Sequence, residues 1–145
     1  IAHQHLWADG FAQHLGKPVT SIGAVSGGPG RHDYSTWLDW GSHDVAMAVA
    51  AFECGPSGIL HPKAGEVHRV YLSFPADRDA DILTGCLPAA VRMFDAGSWR
   101  YDGTFIAGRE PMRLMVEAFA RGEDDWRSSI GFGRAVCGAL FQEAA

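Results

Sequence analysis

The dipeptide His-Asp occurs twice, at His32-Asp33 and His43-Asp44, eleven positions apart. An imidazole beside a carboxylate is a basic unit of proton transfer: the ring titrates near neutral pH and the carboxylate orients it. The same unit can ligate a divalent metal. Either dipeptide could therefore give a small hydrolase or isomerase its base, with or without a metal. A plainer alternative weighs more: Asp33 opens a turn, while Ser42 and Asp44 cap the helix that follows.

Two such pairs resemble the H…HD…D pattern of the metal-dependent HD-type phosphohydrolases. That family carries its pattern on an all-helical scaffold. Here the first pair follows the glycine-rich segment 27–30 and precedes Tyr34 to Trp40, which alternates like a strand with Tyr34, Thr36, Leu38 and Trp40 on one face. An extended strand rises roughly 3.3 Å per residue, which would hold the two pairs more than about 20 Å apart. They could not then share one ion.

The remaining candidates are weaker. His3 and His5 form an H-x-H pair, which needs a strand to face one ion, and chain ends fray, so surface histidines are expected there. His14 lies on the His3 side of a helix. His68 shares the apolar face of a strand with Val70, Leu72 and Phe74, the usual setting of a hydrogen-bonded core histidine. Trp37 and Trp40 could wall a small-molecule pocket. The candidate binding or acid-base set is thus His32, Asp33, Trp37, Trp40, His43, Asp44 and His68, with no metal site assigned. Ser35, Ser57 and Ser73 sit in no nucleophile elbow.

Two glycine-rich segments could let backbone amides approach a phosphate. GGPGRHD, with Arg31, lacks the Lys-Ser/Thr ending of a phosphate loop and the spacing of the dinucleotide fingerprint. A hairpin connection is the expectation. GFGR at 131–134 follows a helix rather than a strand, which points to close helix packing. No cofactor is expected.

The elements that must position these residues read as an α+β fold: a largely antiparallel sheet of short strands and hairpins against several helices, the last third helical. Leu6, Trp7, Phe11 and Leu15 have helical spacing. Val19 to Ser26 is β-rich and would pair with 34–40. DVAMAVAAFE leans to helix, with Ser42 as its cap and Gly55-Pro56 as its stop. Residues 54–65 read as loop, and Glu66 to Phe74 as the strongest strand. Ile82, Leu83, Cys86, Leu87, Ala90, Val91 and Phe94 form a helical stripe kinked at Pro88 and capped at Gly97. Asp102-Gly103 asks for a tight hairpin pairing Tyr101 with Thr104 and Trp99 with Ile106. Met112, Met115, Val116 and Phe119, then Trp126, Ile130, Gly133, Cys137 and Phe141, mark two final helices.

Composition bounds the rest. The 145 residues are 47% hydrophobic and 20% charged, typical of one globular domain spanning 1–145. A net charge of -5 with dispersed arginines argues against nucleic acid. No apolar run is long enough for a membrane, and three unpaired cysteines suit a reducing, cytoplasmic setting in which they are buried. The preferred function is a non-catalytic module that binds a small apolar ligand or a protein partner. The His-Asp hydrolase or isomerase is the alternative, and a structural homodimer the third reading.

Overall fold

The computed structural model describes residues 4–29, 37–62, 66–105 and 109–141. Among these, six strands form one sheet: β1 (Ser21–Gly28), β2 (Gly58–Leu60), β3 (Val67–Phe74), β4 (Arg78–Cys86), β5 (Val91–Asp95) and β6 (Arg100–Asp102). Their order is β2-β3-β4-β1-β5-β6. Every neighbouring pair is antiparallel except β1 and β4, which run parallel. The α-helices are α1 (Asp9–Ala12), α2 (Ser42–Phe52), α3 (Arg109–Ala120) and α4 (Ile130–Phe141). The class is α+β, the sheet mostly antiparallel and the last third helical.

Side chains alternate along each strand, so one face collects the apolar residues. Register lines them up in rungs. Val70, Ile82, Ala24, Phe94 and Tyr101 make one rung, and Leu72, Ala80 and Ile22 the next. All eight are buried. Across this face lies α2, whose Val45, Ala46, Met47, Ala48 and Ala50 are fully buried. A helix apolar on every side belongs inside, and α2 is covered in turn by α4 and the N-terminal turns. Gly27 faces Gly85 across the parallel pair, both with φ near +147°. A Cβ on Gly27 would stand 2.0 Å from the Gly85 carbonyl oxygen. Only glycine lets the two strands meet there.

Several expected elements differ. The stripe over 82–94 is not a helix: β4 and β5 cover it, and Pro88 lies in their connection. The stripe Ile82, Leu83, Cys86, Leu87, Ala90, Val91 and Phe94 fits a period of 3.6, but Ala80, Ile82 and Thr84 also alternate with a period of two, and pairing with β3 and β1 on both sides decides between them. Residues 37–40 are not a strand either; Trp37–Gly41 is a turn of π-helix that runs straight into α2. So β1 has no hairpin partner there, and its Gly27 and Gly28 belong to the strand rather than a loop. The N-terminal segment is a 3-10 turn, Gln4–Trp7, and the short α1. Within 54–65, β2 adds an edge strand.

The Asp102-Gly103 hairpin does not form. Tyr101 pairs with Phe94 instead, the Gly103 amide donates to the Arg92 carbonyl, and Ile106 lies outside the described residues. Gly97 turns the chain between β5 and β6. Ser42 makes no cap bond; its hydroxyl donates to the Asp39 carbonyl. In the last helices the apolar stripes face outward: Phe119, Ile130 and Phe141 are exposed, while Phe132, Val136, Ala139 and Leu140 turn inward. A Cβ on Gly133 or Gly138 would meet nothing, so neither serves close packing. Cys137 is exposed, and Cys54 and Cys86 are half-buried.

Candidate functional site

At one end of the covered face the rung changes character. His68, Thr84, Ser26 and Arg92 sit side by side on β3, β4, β1 and β5, one rung beyond the apolar ones. This end carries the carboxyl termini of the parallel β1 and β4, the position where ligands commonly sit in parallel sheets. The first turn of α2 lowers Asp44 onto the rung. Its carboxylate accepts from the Ser26 hydroxyl and from Arg92 Nη1 at 2.7 Å. Ser26 Oγ lies 2.8 Å from Thr84 Oγ1. Arg92 Nη2 also donates to the Trp40 carbonyl at 3.2 Å.

The pair is almost wholly dry, with Asp44 1% and Arg92 4% exposed. Burial pushes the Asp44 carboxyl up to about 6, against the opposing pull of the Arg92 charge and the Ser26 hydroxyl. Charges buried in this way are weak evidence of stability, since apolar residues would do as well. Perturbed groups beside a cleft are instead a mark of functional sites.

Such a cleft stands directly above. It has a volume of about 310 Å³ and is lined by Gln4, His5, Asp39, Trp40, His43, Arg92, Gly103 and Thr104, with Ala90 and Val91. Asp39 from the π turn and His43 from α2 are four residues apart along continuous helical backbone, so both reach the same side. His5 is 6% exposed, and its ring meets His43 edge-on, with centroids 5.4 Å apart and planes at 86°. On its far side His5 Nδ1 lies 2.8 Å from the Tyr101 hydroxyl. The lining offers a carboxylate, two imidazoles, a guanidinium, an amide and a hydroxyl around one indole. That is a surface for hydrogen-bonding a polar molecule.

The candidates read from sequence therefore divide. Trp40 and His43 line the cleft, and Asp44, the immediate neighbour of His43, points beneath it. Trp37 and His68 gather with His61 on the β3 side of the same rung. His61 Nε2 lies 2.9 Å from His68 Nδ1, and the Trp37 ring lies 4.9 Å from that of His61. Burial lowers the His68 pKa. Trp37 also ties this corner to α4, donating from Nε1 to the Leu140 carbonyl at 3.2 Å. His32 and Asp33 lie outside the described residues. Among those described, no group of three or more His, Cys, Asp or Glu side chains could hold a metal ion.

Sequence reasoning set His5 aside as a surface residue and passed over Ser26, Asp39, Arg92 and Thr104. His5 is no surface residue of a fraying end: the Gln4–Trp7 turn buries it against Tyr101. Reading 34–40 as a strand concealed the four-residue relation between Asp39 and His43. Ser26 and Arg92 were legible in principle, as polar residues at inward positions of apolar strands.

No family model matches the sequence, and no curated protein is similar enough to match it. The fold does match solved structures. An oxidoreductase structure from Magnetospirillum magnetotacticum superposes with a TM-score of 0.68 at 18% identity, covering 95% of this chain and 60% of that one. A scyllo-inositol dehydrogenase from Lactobacillus casei gives 0.63 at 10% identity over 96% of this chain and 58% of its own. A UDP-N-acetylglucosamine 3-dehydrogenase from Acidithiobacillus ferrooxidans gives 0.63 at 13% identity, covering 84% and 52%. The chain spans between half and three-fifths of the length of these proteins, and what it shares with them is the fold of that part.

Proposed function

We propose that this chain is the substrate-binding part of an oxidoreductase and holds a small polyhydroxylated molecule, a sugar or a cyclitol, in the cleft above Asp44 and Arg92. The observation that carries this reading is the lining itself: Asp39, His43, His5, Arg92 and Thr104 converge on about 310 Å³. A ring of hydroxyls asks for such a mixture of donors and acceptors, and Trp40 offers an apolar wall for a sugar's C–H face. An apolar ligand would offer none of these groups a hydrogen bond in place of water, at a cost of roughly 1–3 kcal/mol for each one so dried. Support also comes from the matched structures, one of which holds NAD(H) and scyllo-inositol.

Neither glycine-rich segment of this chain has the dinucleotide fingerprint. This chain's part is on the substrate side. Oxidation of an alcohol would pass the C–H hydride to a nicotinamide acceptor of the whole enzyme and release the hydroxyl proton, and His43 stands in the cleft with Asp39 beside it to take that proton.

Calorimetric titration of the chain with scyllo-inositol and with UDP-N-acetylglucosamine tests the assignment. Saturable binding of at least one is expected, weakened about tenfold or more by Asp39→Asn or His43→Ala, a loss near 1.4 kcal/mol. Absence of binding to both, or affinities indifferent to both substitutions, would sink it.

A further inference from the structure

Arg92 meets the cleft with its charge already engaged. Its guanidinium is part of the lining, while Asp44 is buried beneath and lines nothing. Nη1 donates to Asp44 Oδ1 at 2.7 Å, and the Ser26 hydroxyl donates to Oδ2, so both carboxylate oxygens are occupied. Nη2 donates to the Trp40 carbonyl at 3.2 Å, and the guanidinium carbon lies 5.8 Å from the centre of the Trp40 ring. A guanidinium has five N–H donors, so some remain for a ligand's hydroxyl. Asp39 brings a second carboxylate to the lining from the π turn. Among the described residues, the acidic and basic side chains at this cleft are thus two carboxylates and one guanidinium, with an excess of negative charge.

We propose that Asp44 is a specificity-determining residue: by neutralising Arg92 from below, it makes the cleft select an uncharged polyol over acidic ones such as uronates and sugar phosphates. This rests on the reading of the cleft as a polyol site.

An unengaged guanidinium in a cleft is the usual partner of a carboxylate or a phosphate. One already paired in a dry setting still donates hydrogen bonds, but its net attraction for an anion is small. A ligand carboxylate entering here gives up its hydration and meets Asp39 in the lining and Asp44 behind Arg92, both of its own sign. A ring of hydroxyls meets the same donors and acceptors without that penalty. Burial raises the Asp44 carboxyl to about 6, with the Arg92 charge and the Ser26 hydroxyl opposing, so it is fully ionised in mild alkali. The anionic group of any substrate, the diphosphate of a nucleotide sugar included, then belongs outside the cleft.

Calorimetric titration at about pH 8.5 with inorganic phosphate, and with glucose against glucuronate, reads the charge of the cleft. The two sugars share a ring and differ in a hydroxymethyl against a carboxylate. The native chain is expected to show no phosphate binding with a Kd below about 10 mM. It should bind glucuronate at least about tenfold more weakly than glucose. Asp44→Asn keeps the shape and removes the charge, so Arg92 should then hold phosphate with a Kd of about 1 mM or below. Adding Arg92→Met should abolish that gain. A merely structural role for Asp44 predicts lost affinities and no gained one. Glucuronate bound by the native chain as tightly as glucose overturns the proposal without any Asp44 variant, as does native phosphate binding that Arg92→Met removes. So does a folded Asp44→Asn chain with no gain for phosphate. Because phosphate needs no sugar site, a gain there with neither sugar bound would sink the polyol reading alone, so the two failures are distinct.

Discussion

Arg92 with Asp44 and Arg69 with Asp81 are the same two chemical groups on opposite faces of one sheet, at 2.7 and 2.8 Å. The first pair is 4% and 1% exposed, the second 56% and 43%. Arg69 grips Asp81 by two nitrogens, the better geometry of the two. Yet the outer pair stands in water, where attraction, side-chain entropy and screening nearly cancel. The inner pair has given up its hydration and depends on every remaining contact: the Ser26 hydroxyl, the Trp40 carbonyl and each other. Contact distance says little about what an ion pair does. Its surroundings decide, and only the inner pair stands under a cleft.

The largest effect should come from orphaning one inner charge. Arg92→Met leaves Asp44 buried without its cation and is expected to cost about 3–5 kcal/mol in urea unfolding at pH 8. The double change Asp44→Leu with Arg92→Met should recover most of that, because no buried charge remains. A single Arg92→Met as mild as a surface change would mean that water reaches Asp44 and that the two faces are alike after all.

The second effect is in pH. The Asp44 carboxyl titrates near 6 in the folded chain and near its ordinary 3.8 when unfolded. Below about pH 4 it is neutral in both states. Between about 4 and 6 the unfolded chain has released this proton and the folded chain has not, so the folded state binds more protons and stability falls as pH rises. Relative to Asp44→Asn, the native protein should lose on the order of 2–3 kcal/mol across that window and stay level above it. A difference that rises with pH instead would show the Arg92 charge outweighing burial.

Much of this region was legible in the chain, and the reasons for the rest are physical. Strand β3 was plain because His68, Val70, Leu72 and Phe74 alternate without ambiguity, whereas DVAMAVAAFE allowed a buried strand as well as a helix, and its alanines and the Gly55-Pro56 stop only tilted it toward α2. The stripe over 82–94 satisfies both periods, so only the neighbours in the sheet could choose. The His43-Asp44 dipeptide caught attention as one unit, yet adjacent helical residues point apart: His43 goes to the cleft and Asp44 to the sheet. Arg92 is 48 residues from Asp44, and Ser26 is 58 from Thr84. The order β4-β1-β5 brings them together, and nothing in a local window announces that order.

The smallest effect sharpens the comparison most cleanly. Arg69→Ala should cost only about 0.2–1 kcal/mol. The part owed to charge should vanish by 1 M salt, where the screening length is about 3 Å. The cost of Arg92→Met should persist at the same ionic strength, since ions cannot enter between Arg92 and Asp44. Paired unfolding curves of both variants at low and high salt measure the two together. If the Arg92 penalty also faded with salt, the inner pair would be hydrated, and the cleft above it would lose its dry floor.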